Sequence, residues 1–432
     1  MFHKYQTDGE GRQMSSKVGL NRSFWMLTAG QTINQMGSSV GGLAQAWLIY
    51  DLTGSKVAMG TILLLTMVPE TLLRLFGSPL VDRFNRIKMM RYMDLVQAGL
   101  YAVTPLLYAM GRLEVWHLYI LAALVGLTHA LYQPAFMSLI PSVVPQGALV
   151  RANSISQGTA NTVTLLGPPL GGLVVALAGP VPALIVDALS YLLTALILFG
   201  LPLRLGAVER RPAPGNYVQQ LTEGIRFVWQ APVLLVALGL AAAWNFNSAA
   251  GGAMLVPIVR DQLGAGAAAV GALVSAAGGG MLAGSLVAGW KGEWRRRRLS
   301  MTVPLIIAGL TSVAMAAVGV GGLPVAMVLW AAGGFTMSFF TPQSMALYQS
   351  MVPDALRGRV MAVRLTVAWG VMPMGSFFGA LVAEYAGVQI MQLIFGLVPV
   401  LAGLAAMGSA HLRALDRDAS APAAHHPART TA

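Results

Sequence analysis

Two charged residues interrupt one of the apolar stretches of the chain. Residues 66–86 read TMVPETLLRLFGSPLVDRFNR, and Glu70 and Arg74 lie four residues apart within them. On a helix this spacing places both side chains on one face, and an ionised side chain at mid-membrane costs at least about 2.5–3.5 kcal/mol. Three interpretations stay open. Glu70 carries a proton whose binding Arg74 tunes, the two residues form a structural ion pair, or they contact a substrate.

Two further carboxylates lie within apolar segments. Asp94 occurs in RYMDLVQAG, close to basic residues, and a structural ion pair is expected there. Asp187 occurs in ALIVDALSYLL, where helix packing is expected. Proton carriage is the alternative for both, because coupling a proton to transport needs a buried acid whose surroundings change. Glu384 falls at the end of a later apolar segment and is expected to be solvated.

The composition identifies the class of protein that must position these residues. The chain has 432 residues, of which 56% are hydrophobic and 10% charged, whereas soluble domains carry about 25% charged residues. It contains no cysteine, which excludes disulfides, thiol nucleophiles and cysteine metal sites. Its polar first 22 residues do not resemble a cleavable signal peptide. We therefore predict an all-α polytopic membrane protein.

Twelve apolar segments are long enough to cross a bilayer as helices. One set of alternate loops contains only Lys56, Arg112 and Arg260, and the other set contains nearly all remaining basic residues. By the positive-inside rule both termini are cytoplasmic. The same rule explains the basic run WRRRRLS (294–300) as a topology anchor rather than a nucleic-acid site. The predicted segments are centred near Asn34, Thr66, Ala102, Gly126, Val163, Thr194, Ala243, Ala277, Leu310, Phe335, Ala368 and Leu397.

The two halves of the chain are related by a repeat. Residues 134–179 match 342–387 at an offset of 208, and 38–51 match 248–261 at an offset of 210. Six segments separate the copies, so the halves have the same orientation and form a parallel pseudo-two-fold repeat. The predicted units are an N-terminal tail (1–22), a six-helix bundle (23–203), a cytoplasmic linker with a short amphipathic helix (204–230), a second bundle (231–410) and a disordered tail (411–432).

Several short motifs of the chain indicate a known family. SPLVDRFNRIK (78–88) is similar to the G-x-L-x-D-R-x-x-R-[RK] loop signature of the major facilitator superfamily of transporters, with Ser78 in place of glycine. GPPLGG (167–172) resembles the core of an antiporter-associated motif. The runs 149–156, 183–193 and 352–362 are similar to a bacterial branch that contains macrolide-efflux and enterobactin-export proteins. The resemblance implies a fold of two six-helix bundles and export by alternating access.

The resemblance also assigns roles to individual residues. It places Asp82 near the start of the eleventh segment, where an anion would meet arginines and a helix N-terminus; fixing topology is the alternative. The second half has Gly289 where an acidic copy would fall. The GPPLGG residues are expected to serve either an antiporter function or ordinary helix packing. In both cases they are expected to pack against the eighth segment. The implied gating residues are Asp82, Arg83, Arg86, Lys88, Arg357 and Arg359, and the implied antiporter-motif residues are Gly167, Pro168, Gly171 and Gly172.

Polar and aromatic residues of segments 1, 4, 7 and 10 are expected to line a cavity between the halves. Such a lining suits a small, largely apolar compound such as a drug or siderophore, exported by proton antiport from a bacterial cytoplasmic membrane. A metabolite importer or a lipid flippase is the alternative, and an enzyme or receptor is disfavoured. No cofactor, metal or nucleic acid is expected, and a monomer is expected to suffice. The candidates are Gln31, Asn34, Gln35, His129, Tyr132, Trp244, Asn245, Asn247, Phe339, Phe340 and Gln343.

Overall fold

The structure is a computed structural model that describes residues 20–76, 84–206, 217–291 and 297–413. All regular elements in these ranges are helical, which confirms the predicted all-α fold. In chain order the longer helices are α1 (Arg22–Thr53), α2 (Lys56–Phe76), α3 (Arg86–Ala109), α4 (Val115–Val143), α5 (Leu149–Ala178), α6 (Pro180–Phe199), α7 (Tyr217–Gln230), α8 (Pro232–Ala253), α9 (Ala267–Lys291), α10 (Arg297–Met315), α11 (Leu323–Met351), α12 (Asp354–Gly370), α13 (Met372–Ala386) and α14 (Val388–Gly408).

In the described ranges, ten helices are long and apolar enough to cross a membrane; α12 and α13 together form one of them. Of the remaining helices, α1 and α3 have 32 and 24 residues, which also exceeds the length needed to span a bilayer. Both contain buried polar side chains, among them Asn34 and Asp94. The arrangement is consistent with the predicted twelve crossings.

The repeat seen in the sequence is also present in the packing. A Cβ added to Gly171 of α5 would lie 3.1 Å from the Cα of Val40 in α1, and one added to Gly379 of α13 would lie 3.0 Å from the Cα of Ala250 in α8. These two contacts are equivalent at the sequence offsets of 208 and 210. The same close helix–helix contact is therefore built twice, as the predicted parallel repeat requires.

The hydrophobic cores show where the two halves meet. One core combines both halves around the end of α1, with Ile49 and Met59 beside Val256 and Ala380. Two other cores lie toward the opposite face, and each contains residues of one half alone. The halves are thus joined at the face where α1 ends and have separate cores toward the face where α1 begins.

The helix α7 lies in the linker between the halves and is fixed to the second half. Its Glu223 forms an ion pair with Arg359 of α12. A Cβ at Gly224 would lie only 2.8 Å from the Arg359 carbonyl oxygen, so the two helices are in close backbone contact. An amphipathic linker helix was expected from the sequence, but its attachment to Arg359 was not.

Candidate functional site

A polar cavity of about 330 Å³ lies in the first half. It is bordered by amide, hydroxyl and imidazole groups from α1, α3, α4 and α5. Five of the predicted lining residues face it together: Gln31, Asn34, Gln35, His129 and Tyr132. His129 Nε2 lies 3.3 Å from the hydroxyl of Tyr191, which also lies 2.8 Å from Ser38 Oγ. His129 therefore belongs to a hydrogen-bonded network and borders the cavity as well.

Asp94 lies behind this cavity and is completely buried. Its Oδ1 accepts a hydrogen bond of 2.9 Å from Asn34 Nδ2. Its Oδ2 has no hydrogen-bond partner among the described residues. The described residues contain no ion pair to Asp94: the nearby Arg91 donates its hydrogen bonds to the carbonyl oxygens of Leu198 and Leu201, and Arg83, one of the gate arginines, lies outside the described residues.

Asp187 is also completely buried, and neither of its carboxyl oxygens has a hydrogen-bond partner among the described residues. The carboxyl group fits against α1 because two glycines leave space for it. A Cβ on Gly41 would lie 2.5 Å from Asp187 Cγ, and one on Gly37 would lie 2.5 Å from Ser190 Cβ. Both distances are far below van der Waals contact. Helix packing was expected at Asp187, and the structure shows that this packing encloses an uncompensated carboxyl group.

Glu70, the first proton-coupling candidate from the sequence, is only half-buried. It lies on α2 about 21 Å from the start of that helix, at 1.5 Å per residue, as expected for mid-membrane. The side chain of Arg74 lies outside the part of the molecule that the structure describes. Burial in the described residues thus distinguishes Asp94 and Asp187 from Glu70.

A larger cavity of about 690 Å³ lies in the second half. Its wall is mainly apolar and contains the indole rings of Trp244, Trp330 and Trp369. Thr164 of α5 borders this cavity and also the polar one, so the two adjoin. Together they form a site with an amide- and acid-rich half and an aromatic half.

The predicted lining residues of the second half divide into two groups. Trp244, Asn245, Asn247 and Phe340 border the larger cavity. Asn245 Nδ2 donates to the Ala368 carbonyl at 2.6 Å, and Asn247 Oδ1 accepts from Ser312 at 3.2 Å. Neither described cavity is lined by Phe339 or Gln343. Phe339 packs on Phe335 at a ring-centroid distance of 5.3 Å instead, because it lies on a different face of α11 from Phe340.

The GPPLGG segment of α5 packs closely on two helices. Gly167 and Gly171 contact Ser39 and Val40 of α1, while Gly172 lies against α9. A Cβ on Gly172 would lie 2.7 Å from the Ala267 carbonyl oxygen. Conversely, one on Gly271 of α9 would lie 2.8 Å from the carbonyl oxygen of Pro168. The motif therefore brings α5 into backbone contact with the expected eighth segment across the two halves.

A set of polar contacts, here called the latch, joins the halves at the face where α1 ends. Arg260 forms an ion pair with Asp51, and Tyr50 donates a hydrogen bond to Asp261. Lys56 Nζ lies 3.5 Å from Asp261 as well. Tyr50 and Asp51 are the repeat equivalents of Arg260 and Asp261, so the two contacts are reciprocal across the pseudo-two-fold axis.

Glu384 extends the latch from the second half to the start of α2. Its Oε2 accepts a hydrogen bond of 2.6 Å from the backbone nitrogen of Lys56 and one of 3.4 Å from that of Val57. A carboxylate is favourable at a helix N-terminus, where backbone N–H groups are unpaired. Glu384 is exposed, as expected, but it also connects the halves, which the sequence did not indicate.

The predicted gating residues of the opposite face are only partly described. Asp82 and Arg83 lie outside the described residues. Arg86 Nη1 donates to the Ser138 carbonyl oxygen at 3.2 Å, and Lys88 Nζ lies 5.9 Å from the centre of the Tyr92 ring. In the second half Arg357 pairs with Asp354, three residues earlier in the chain, and Arg359 pairs with the linker helix. None of these four contacts joins the first half to the second.

Two repeated bundles around adjoining cavities, held together at one face, have the architecture of a membrane transporter of the major facilitator superfamily. Residues 18–432 match the profile of the transmembrane secretion effector family of that superfamily. The chain therefore belongs to this family, which confirms the resemblance found in the motifs.

Individual proteins are similar over almost the whole chain. The multidrug efflux pump Tap of Mycolicibacterium fortuitum is 28% identical, with 91% of this chain and 96% of that protein covered. Macrolide efflux protein A of Streptococcus pyogenes is 22% identical, with 91% and 97% covered. The inward-facing crystal structure of a bacterial homologue of the lysosomal transporter Spinster superposes with a TM-score of 0.67 at 16% identity, covering 93% of this chain and 98% of that one. The last similarity concerns the fold alone.

Proposed function

We propose that this protein exports small, largely apolar organic compounds across a bacterial cytoplasmic membrane in exchange for protons. The observation that carries the proposal is the 690 Å³ cavity of the second half, whose wall combines three indole rings with methionine and amide side chains. Pockets for small organic molecules have this mainly apolar lining with a few polar groups. The names of the similar proteins, a multidrug efflux pump and a macrolide efflux protein, agree with export.

Export requires that the cavities open alternately to the two faces. The shared core and the latch close one face, while separate cores leave the halves free to part at the other. We place the latch face outside the cell, because the basic loops predict that the termini are cytoplasmic. The structure then corresponds to the state that loads substrate from the cytoplasm. Breaking the latch releases substrate to the outside.

Asp187 and Asp94 are the groups that we assign to proton coupling. An ionised carboxylate is costly when it is buried with one donor, as at Asp94, or with none among the described residues, as at Asp187, whereas the neutral acid is tolerated. Asp187 is enclosed by α1, whose last turn contributes Tyr50 and Asp51 to the latch. Movement of α1 during latch opening would give the carboxyl group access to water and change its proton affinity. Glu70 remains a further candidate for proton coupling. Because one chain contains all of these groups, we propose that a monomer is sufficient for transport.

The test is export from cells that lack their own drug pumps. A panel of lipophilic dyes, drugs and siderophores is loaded, and efflux is followed with and without a proton uncoupler. The variants Asp187→Asn, Asp94→Asn and Glu70→Gln remove one acid each, and Glu114→Gln, at the exposed start of α4, is the matched control.

We expect the native chain and Glu114→Gln to accelerate efflux of some compounds, and the uncoupler and Asp187→Asn to abolish that gain. Export that persists with the uncoupler would contradict proton coupling. Export that persists in both aspartate variants but fails in Glu70→Gln would assign proton coupling to Glu70 instead. If no compound leaves faster, the exporter assignment is wrong and uptake of metabolites becomes the next assay.

A further inference from the structure

Arg364 is a buried cation in the wall of the larger cavity. It lies ten residues after the start of α12, about 15 Å into the helix at 1.5 Å per residue. Its exposed fraction is 8%, and it borders the cavity together with Trp244 and Trp369. The repeat equivalent in the first half, at the offset of 208, is Ser156. Arg364 is therefore not a shared structural feature of the two bundles.

The contacts of Arg364 are weak and neutral. Its Nη2 lies 3.5 Å from Ser344 Oγ, its Nη1 lies 4.0 Å from the sulfur of Met345, and its guanidinium carbon lies 5.2 Å from the centre of the Tyr348 ring. Its Nε has no hydrogen-bond partner among the described residues. A guanidinium has five N–H donors, so the contacts with described residues use less than half of its capacity.

No described carboxylate forms an ion pair with Arg364. Of the described acids in the second half and the linker, Asp261 and Glu384 belong to the latch, while Glu223 and Asp354 pair with Arg359 and Arg357. A guanidinium stays protonated in proteins, and a buried charge without a partner is costly. An anion bound in the cavity would supply the partner that the described residues do not provide at ion-pair distance.

We propose that Arg364 is an anion-binding subsite that selects amphipathic aromatic compounds with a carboxylate, sulfonate or phosphate group. The planar guanidinium binds such groups through two parallel hydrogen bonds, and the indole rings of the same cavity contact the aromatic part of the molecule. This inference rests on the proposed function, because it specifies the substrates of that cavity. It adds a charge preference that a merely apolar pocket would not have.

The test compares two fluorescent probes that differ by one charged group: 1-anilinonaphthalene-8-sulfonate and the neutral N-phenyl-1-naphthylamine. Binding to the purified full-length protein is followed by energy transfer from tryptophan. In Arg364→Met we expect the dissociation constant of the sulfonate to rise at least tenfold and that of the amine to stay within twofold. Arg364→Lys should lose less sulfonate affinity than Arg364→Met. Arg112→Met, which removes an exposed arginine, should change neither constant.

A second measurement needs no variant. Naphthalene-2-carboxylate should displace the sulfonate probe from the native protein at a concentration at least tenfold lower than naphthalene-2-carboxamide does. Equal displacement by the two compounds, or an equal loss of both probes in Arg364→Met, would overturn the subsite. Efflux of neutral compounds by a native protein that shows no carboxylate preference would reject the subsite and leave export standing. A carboxylate preference in a protein that exports nothing would reject export and leave the subsite standing.

Discussion

Breaking the latch should shift the protein toward the state that is open at the latch face. The perturbation is Asp51→Arg, which replaces the ion pair with Arg260 by two like charges. The side chains of this pair are 37% and 47% exposed, so the contact is worth only about 0.2–1 kcal/mol. Arg260 also lies 5.7 Å from the Tyr50 ring, a contact worth about 0.5–1 kcal/mol at exposed sites.

Loss of these contacts, together with the new repulsion, should cost the closed latch about 1–2 kcal/mol. Since about 1.4 kcal/mol is a factor of ten in an equilibrium constant, the latch-open population should rise about 5- to 30-fold. The chain contains no cysteine, so one engineered thiol reports this population without background. Ser248 is suitable, because it faces the larger cavity, which the latch closes from one side.

The assay measures how fast a membrane-impermeant maleimide, added from outside intact cells, labels Ser248→Cys. Asp51→Arg should accelerate labelling about 5- to 30-fold. The charge swap Asp51→Arg with Arg260→Asp restores the ion pair and should return the rate most of the way to that of the native latch. Glu114→Arg, which adds the same charge at the same face without touching the other half, should have no effect. Unchanged labelling in Asp51→Arg, or a swap that labels as fast as the single variant, would refute the latch.

Two stability predictions follow from the packing. Gly41→Ala should lower the melting temperature in detergent relative to Gly42→Ala, because a Cβ at Gly41 would meet the Asp187 carboxyl group whereas a Cβ at Gly42 meets nothing within 4 Å. Such overpacking costs about 1–3 kcal/mol. Equal melting temperatures of the two variants would contradict the enclosed carboxyl group. Glu223→Gln should destabilise the linker helix by less than about 1 kcal/mol, which would be detected as faster proteolysis within α7. Arg359→Gln should accelerate proteolysis to the same extent. The double variant should show no further increase in the proteolysis rate.

Much of the fold could be predicted from the sequence. The order of the membrane-length helices follows from apolar segments long enough to span a bilayer. The repeat is visible in the matching prolines and arginines, and the small-residue face of α9 indicated the partner of GPPLGG. These features are local or periodic, so one chain is sufficient to recognise them.

The latch could not be predicted in the same way. The sequence aligned Asp51 with Asp261, and the structure pairs each of them with the residue preceding the other. Which equivalent residues meet depends on how the halves dock, and no periodicity encodes that. A signal was nevertheless present: both copies of the repeat end in an aspartate preceded by a hydrogen-bond donor, Tyr50 or Arg260. Reciprocal contacts of this kind are what a two-fold interface produces.

The burial of the acids was also hard to rank from the sequence. Glu70 stood out because its neighbour Arg74 is charged, but a charged neighbour indicates compensation rather than isolation. Asp187 has apolar neighbours along its own helix, and the glycines that enclose it are on α1. The pattern Gly37-x-x-x-Gly41 permits close helix contact, yet the sequence alone does not show which helix fills the space.

In the proposed antiport, the distribution of buried charge separates proton binding from substrate binding. Among the described residues, the two fully buried carboxyls belong to the first half, and the buried arginine of the larger cavity belongs to the second. A proton bound in one half and a substrate bound in the other need not compete for one group. Coupling then depends on the helices that the halves share at their boundary: α5, which reaches both cavities through Thr164, and α1, which encloses Asp187 and ends at the latch. Protonation that changes the packing of α1 would change the latch and, through it, the face to which the substrate cavity opens.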